Sequence, residues 1–198
     1  MAEKEARKKR DGNVYSHSRL WLYESCPEFY RLRYIDGIEI EMPIHVSLFL
    51  GTVVHSALEW LYHQVKNRPV DLDELIECFK DKWYAEMTLL NGSVRFGNGD
   101  EEESFNKGVK FLVDYYMRFK PFKQNVLAIE RKIIFPLDTE GKYKIQGYID
   151  RLDYNDEEKV YEVHDYKTNA YPKKQEELDA DRQLAFYNLG IKELYGKE

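Results

Sequence analysis

YKIQGYIDRLDYNDEEKVYEVHDYKT, residues 143–168, decides the fold. Two runs rich in β-branched and aromatic residues, Tyr143 to Tyr154 and Val160 to Tyr166, flank the turn-rich Asn155-Asp156-Glu157-Glu158, the pattern of a β-hairpin. Val126 to Phe135 has the same character and is joined to them through Thr139-Glu140-Gly141-Lys142, so a three-stranded antiparallel meander is predicted. Each hairpin strand carries a carboxylate: Asp150 within Gly147-Tyr148-Ile149-Asp150-Arg151, and Asp165 within Val163-His164-Asp165-Tyr166-Lys167-Thr168. Asp165 and Lys167 stand two apart near a strand end and so share a face, while His164 points to the opposite one and reads as structural. If the strands pair through the turn, Asp150 and Asp165 approach closely enough to share a cation.

Working outward, the period changes. Upstream, Leu48, Leu50, Val53, Val54, Ala57, Leu58, Leu61 and Val65 recur at helical spacing, and Asn67-Arg68-Pro69 closes the segment. Asp71 starts a second helix through about Leu90, and Asn91 to Asp100 leads to a third, from Glu101 to the stop at Pro121. These two make a helical insertion over about residues 68–121. A cap signal at Ser16-His17-Ser18 and the Cys26-Pro27 step predict two short helices. Downstream of the strands, Thr168 to about Glu177 is polar loop, and DADRQLAFYNLGIKELYG (residues 179–196) returns to helical spacing through Leu184, Tyr187, Ile191 and Leu194. The expectation is an α/β (α+β) fold: helix, meander, helix, with one domain over 15–198 behind a basic, flexible tail at 1–14.

The length of 198 residues suits a single core. No apolar stretch is long enough to span a bilayer and the N-terminus is charged, so a soluble, cytoplasmic protein is expected. Cys26 and Cys78 are too few for a disulfide framework or a zinc site. A net charge of -6 argues against coating nucleic acid through bulk electrostatics, but not against a nuclease, which needs basic charge only along a groove. The 16 tyrosines suit half-buried strands and base-stacking surfaces alike.

Two carboxylates that close repel each other, so the charge pattern itself calls for Mg²⁺ or Mn²⁺. An imidazole from His55 shifts the preference toward Mn²⁺; alone, His55 reads as a core histidine. Lys167 beside a metal can hold the attacking water or balance charge on a phosphate. An isolated Asp-x-Lys more often means a surface salt bridge.

The ensemble is more specific than any of its parts. Gly51-Thr52-Val53-Val54-His55, then Gly147-Tyr148-Ile149-Asp150, then Asp165-Tyr166-Lys167-Thr168, then Gln183-Leu184-Ala185-Phe186-Tyr187 resembles the motif series of RecB-like PD-(D/E)xK nucleases, and YSHSRLWLYESCPEFYRLRYI (residues 15–35) is similar to their opening helices. That group includes the RecB and AddB nuclease domains and CRISPR-associated adaptation exonucleases. The resemblance implies a restriction-endonuclease-like core with metal on His55, Asp150, Asp165 and the backbone carbonyl of Tyr166. Lys167 is the implied catalytic amine, and Gln183 and Tyr187, a helical turn apart, border the site. Glu59, four residues after His55, Arg151 and Glu130 are supporting candidates, Glu130 resembling an acidic position ahead of the family's Asp strand and Arg151 reading first as a structural ion pair.

Two departures qualify it. Many relatives hold an iron-sulfur cluster on one Cys near the first helix and three near the C-terminus; Cys26 matches the first, but the others have no counterpart, so either the cluster is absent or a tail is missing. The further strand expected after the Gln/Tyr helix is also missing, which favours a truncated C-terminus and leaves an open edge that invites oligomerisation. The function expected is a metal-dependent DNA exonuclease of repair, recombination or CRISPR-type processing, acting on single strands or duplex ends. The rival is a catalytically inactive module of the same fold that binds nucleic acid or a helicase-like partner. An RNA or repair endonuclease is a third reading.

Overall fold

The computed structural model describes residues 13–38, 42–97, 99–168 and 174–196; residues 1–12 of the expected basic arm lie outside them. In chain order the elements are β1 (Val14–Tyr15), α1 (His17–Ser25), α2 (Pro27–Tyr30) running on into a π-helical turn (Arg31–Ile35), β2 (Ile44–His45) and α3 (Val46–Val65). Then come α4 (Leu72–Leu90), β3 (Val94–Arg95), α5 (Glu101–Phe119), β4 (Val126–Pro136), β5 (Lys144–Asn155), β6 (Val160–His164), α6 (Gln175–Asp179) and α7 (Arg182–Tyr195). None of the described helices is long and apolar enough to cross a membrane.

The main sheet centres on β5. It pairs with β4, runs antiparallel to β6 with Arg151 opposite His164 and Asp153 opposite Glu162, and takes β1 in parallel at Lys144 and Ile145. The meander is therefore present, with a fourth strand added from the N-terminus. Two residues are too short a run to show the alternation that betrays a strand, so β1 had no sequence signal.

The chain divides into two compact units. The larger, Glu39–Arg131 with Ile149–Asp179, has its core in α3, α4 and α5. The α3 residues Phe49, Leu50, Val53, Val54, Ala57, Leu58, Leu61 and Tyr62 are buried, the i, i+3, i+4 stripe that a helix gives when one face meets a core. They meet Leu75, Phe79 and Trp83 of α4 and Leu112 of α5 in one cluster. Both partner helices start at an aspartate: the Asp71 side chain accepts from Glu74 N–H in a capping box, and Asp100 accepts from Glu103 N–H.

The other unit comprises Met1–Ile38, Lys132–Tyr148 and Ala180–Glu198. Here Arg19 donates to the Val14 carbonyl at 2.6 Å and lies over the Tyr15 ring at 4.5 Å, tying β1 to α1. Arg182 grips Glu24 with two bonds of 2.6 and 2.9 Å, joining α7 to α1.

β6 ends at His164, two residues before the expected end at Tyr166. The backbone groups that would continue the ladder have other partners: the Asp150 carboxylate takes the Tyr166 N–H at 2.6 Å, and His55 takes its carbonyl at 2.7 Å. A strand cannot continue where side chains hold both of its hydrogen-bonding groups.

Candidate active site

All the groups described next, until Gln183 and Tyr187, belong to the larger unit. His55 is carried on α3, the most buried helix of that unit, and Asp150 sits within β5 at 8% exposure. A carbonyl oxygen only accepts, so His55 Nε2 must carry the proton it gives to Tyr166. That leaves Nδ1 facing Asp150 Oδ2 at 3.5 Å. Gly51, one turn before His55, makes room for the segment after β6, since a Cβ at that position would lie 3.4 Å from Thr168 Oγ1. Helix α3, β5 and residues 165–168 are thus bound together through the backbone of a single residue, Tyr166.

Glu130 completes a trio. One ligand atom each from His55, Glu130 and Asp150 lies within 4.8 Å of the others. Glu130 reaches it from β4 with a left-handed φ of 49°, a conformation uncommon for a non-glycine residue and one that breaks the strand's alternation. Such irregularities cluster at functional sites because they re-aim a side chain.

The electrostatics agree. Burial works against an imidazolium at His55, but the Asp150 hydrogen bond and charge, the Tyr166 carbonyl and the charge of Asp165 outweigh it and raise its pKa above the ordinary 6.5. Glu130 is also raised, by burial first and then by the negative charges of Asp150 and Glu59, with His55 pulling the other way. A carboxylate that resists ionisation because a second one and an imidazole stand beside it belongs to a donor set that a hard divalent cation relieves. The trio therefore fits a divalent cation.

A second residue pair flanks Tyr166 in the chain. Lys167 Nζ contacts the Asp165 carboxylate, which lies outside the trio although its charge reaches His55. Behind them three phenols form a chain: Tyr62 and Tyr115 share a 2.8 Å bond, and Tyr115 lies 3.5 Å from Tyr166. Burial pushes all three above the ordinary phenol range, so they remain neutral.

The larger unit thus holds a group of two carboxylates and an imidazole that could bind a cation, and the Asp165 and Lys167 pair flanks the residue that two of its members hold. A family model for the PD-(D/E)XK nuclease superfamily matches residues 14–198. The chain belongs to that superfamily. No curated protein matches it. Nucleases of the PD-(D/E)XK superfamily are generally hydrolytic, act on DNA and use divalent cations, and the His55, Glu130 and Asp150 groups are suited to hold one here.

Within this PD-(D/E)XK chain the remaining candidates fall in different places. Glu59 pairs with His63 at 3.9 Å, and its charge is felt by Glu130. Arg151 is fully buried; it donates to Tyr115 Oη at 2.6 Å, lies over the Tyr62 ring and meets Asp153 at 3.0 Å, so it is a structural ion pair. His164 joins that network through Asp153 at 3.1 Å, with Glu162 at 3.8 Å. Gln183 and Tyr187 belong to the other unit, where Gln183 Nε2 donates to Tyr187 Oη at 2.6 Å. Cys26 is an exposed free thiol, and no cysteine belongs to a group of potential metal ligands among the described residues.

The sequence named Asp165 among the metal ligands and Glu130 as a weaker ligand candidate, whereas the group of potential ligands that lies together holds Glu130 with His55 and Asp150. Counting in twos along β4 could not place Glu130, because the count fails at its own left-handed φ. The roles of Tyr62 and Tyr115 were likewise hidden, since each reads as ordinary core at helical spacing.

Proposed function

We propose that this chain is a RecB-like, Mg²⁺- or Mn²⁺-dependent exodeoxyribonuclease with its metal on His55, Glu130 and Asp150. What supports the reading is the anchoring of Tyr166 from both sides, by Asp150 and by His55, which ties the backbone just before Lys167 to two members of the ligand trio. When bound, the cation supplies Lewis-acid polarisation of the scissile phosphate and neutralises the carboxylates.

The protein's own groups supply the rest. Asp165 holds the Lys167 ammonium, and that ammonium orients the attacking water and balances the charge that builds on the phosphate. His55 keeps the Tyr166 carbonyl in place, so the Asp165 to Lys167 segment is held rigid while the phosphate changes geometry. The Gln183 and Tyr187 pair is assigned to strand contact on the family likeness, and a helicase-type partner and action at DNA ends follow from the same likeness.

The test is cleavage of end-labelled linear and circular DNA, single- and double-stranded, in Mg²⁺, Mn²⁺ or EDTA. Wild type should shorten linear strands from an end, spare circles and stop in EDTA. Lys167→Ala should lose at least about 100-fold in rate, the cost of removing one preorganised charge from a hydrolytic site. Retarded bands without cleavage, the same in wild type and Lys167→Ala, would sink the proposal in favour of a binding module.

A further inference from the structure

Beside Lys167 lies a cavity of about 380 Å³, in the lower part of the range of about 300–1,000 Å³ typical of small-molecule clefts. Residues 163–168 form one wall and α5 the other, with Phe111, Tyr115 and Phe119 from the helix. These three are spaced by four, so they stand one above another on a single face of α5. The Tyr115 and Phe119 rings lie 4.5 Å apart, tilted by 34°. Tyr115 has its hydroxyl engaged by Tyr62 and Arg151 and serves as fixed wall, whereas Phe111 and Phe119 are half-buried rings with no polar atom to satisfy.

Cations follow the same stripe. Lys107, one turn before Phe111, holds its ammonium 5.7 Å from that ring, and the Arg118 guanidinium lies 5.6 Å from the Phe119 ring. Both are exposed, and neither is in an ion pair among the described residues. On a chain of net charge -6, Lys107 and Arg118 place two exposed cations against aromatic rings of α5, with Lys167 paired to Asp165 on the facing wall. Alternating π-faces and cations match a polymer that alternates flat bases and phosphates.

We propose that this cavity takes unpaired nucleobases of single-stranded DNA, stacked on the Phe111 and Phe119 rings, with the backbone phosphates held by Lys107, Arg118 and Lys167. The inference rests on the nuclease reading only for the role of Lys167, and it deepens that reading by naming the substrate as a single strand. A base in a duplex is stacked and paired and cannot enter without first being extruded. Stacking faces without a fixed set of base-edge partners give a site that accepts any base.

The test is binding in EDTA, where cleavage plays no part. Fluorescence anisotropy compares a labelled oligothymidylate of about a dozen nucleotides with an oligomer of the same length made of abasic sites. Wild type should prefer the base-bearing strand by on the order of tenfold, the effect of about one base stacked on an aromatic ring. Phe111→Leu and Phe119→Leu, which keep apolar volume but remove the ring, should lose that preference. Lys107→Ala and Arg118→Ala should weaken both strands by the same factor and flatten the salt dependence. Equal affinity of wild type for the two strands overturns the proposal, and so does a Phe→Leu loss that falls equally on both. If the leucine variants fail to fold, the wild-type comparison decides alone. A protein that cleaves in Mg²⁺ but ignores bases keeps the nuclease reading and loses this one; base-dependent binding without cleavage does the reverse.

Discussion

Arg151 is wholly buried, and its charge is met from three directions: by the Asp153 carboxylate, the Tyr115 hydroxyl and the Tyr62 ring. Removing one member of a buried pair leaves the other charge uncompensated, which costs more than the pair itself contributes. Arg151→Ala is therefore expected to destabilise by about 3–5 kcal/mol in denaturant titrations, since Asp153 would stay buried beside His164 alone. Tyr115→Phe removes only a neutral hydroxyl and should cost on the order of 1–3 kcal/mol. A loss for Arg151→Ala no greater than for Tyr115→Phe would show that the guanidinium is not the centre of this network. Arg151 also illustrates what the sequence can reveal at this scale. Its position beside Asp150 was plain and a structural ion pair was its first reading, but partners as distant in sequence as Tyr62 and Tyr115 leave no local pattern. Glu130 was legible only as a supporting candidate, because a left-handed φ cannot be counted from neighbours.

At the scale of elements, α5 lies so close to α3 and α4 that Gly108 has no room for a side chain. A Cβ there would lie 2.4 Å from Phe79 Cζ and 2.9 Å from Leu50 Cδ1. Phe79 is fully buried and cannot swing away, so the overlap must move a helix. Alanine improves intrinsic helix propensity by about 1 kcal/mol, but overpacking of this kind typically costs about 1–3 kcal/mol. Gly108→Ala should thus be neutral to destabilising by up to about 2 kcal/mol despite its better propensity, and Phe79→Leu in the same chain should recover most of any loss. Thermal unfolding of the four variants checks this; a gain from Gly108→Ala alone would refute the close approach. The three long helices were legible because a buried face repeats every three or four residues, and because Asp71 and Asp100 mark their starts. The tightness between them was not, since a glycine inside a helix reads the same whether it permits contact or merely weakens the helix. The end of β6 was missed for a related reason: Asp150 and His55, distant in sequence, claim the Tyr166 peptide, and no local pattern records a long-range competitor.

For the molecule as a whole, the site's composition sets how stability responds to pH and to metal. Glu130 and His55 both have raised pKa values, so the folded protein holds their protons more tightly than the unfolded chain does. Where the folded state binds more protons, stability falls as pH rises. The window opens near the ordinary values of 4.5 for Glu130 and 6.5 for His55 and extends upward to their folded-state values. His55 contributes stability that is fully present below 6.5 and is lost as pH rises through its folded value. Glu130 becomes a growing liability as it is forced to ionise beside Asp150 and Glu59. Metal-free protein in EDTA should therefore lose thermal stability as pH is raised through this window, and Glu130→Gln, which cannot ionise, should be more stable than wild type at neutral pH and lose less. Divalent metal reverses the ranking, because it binds the ionised carboxylates of the folded state. At about 100 times its dissociation constant a cation stabilises by about 2.7 kcal/mol, a rise of roughly 5–11 °C for a chain of this size. Mn²⁺ should give wild type that rise at neutral pH and give Glu130→Gln much less, so that the variant is the more stable protein in EDTA and the less stable one in metal. Scanning calorimetry of both proteins, with and without Mn²⁺ across the pH window, decides it: an equal metal-induced rise in the two proteins would remove Glu130 from the ligand set and return the second carboxylate to Asp165.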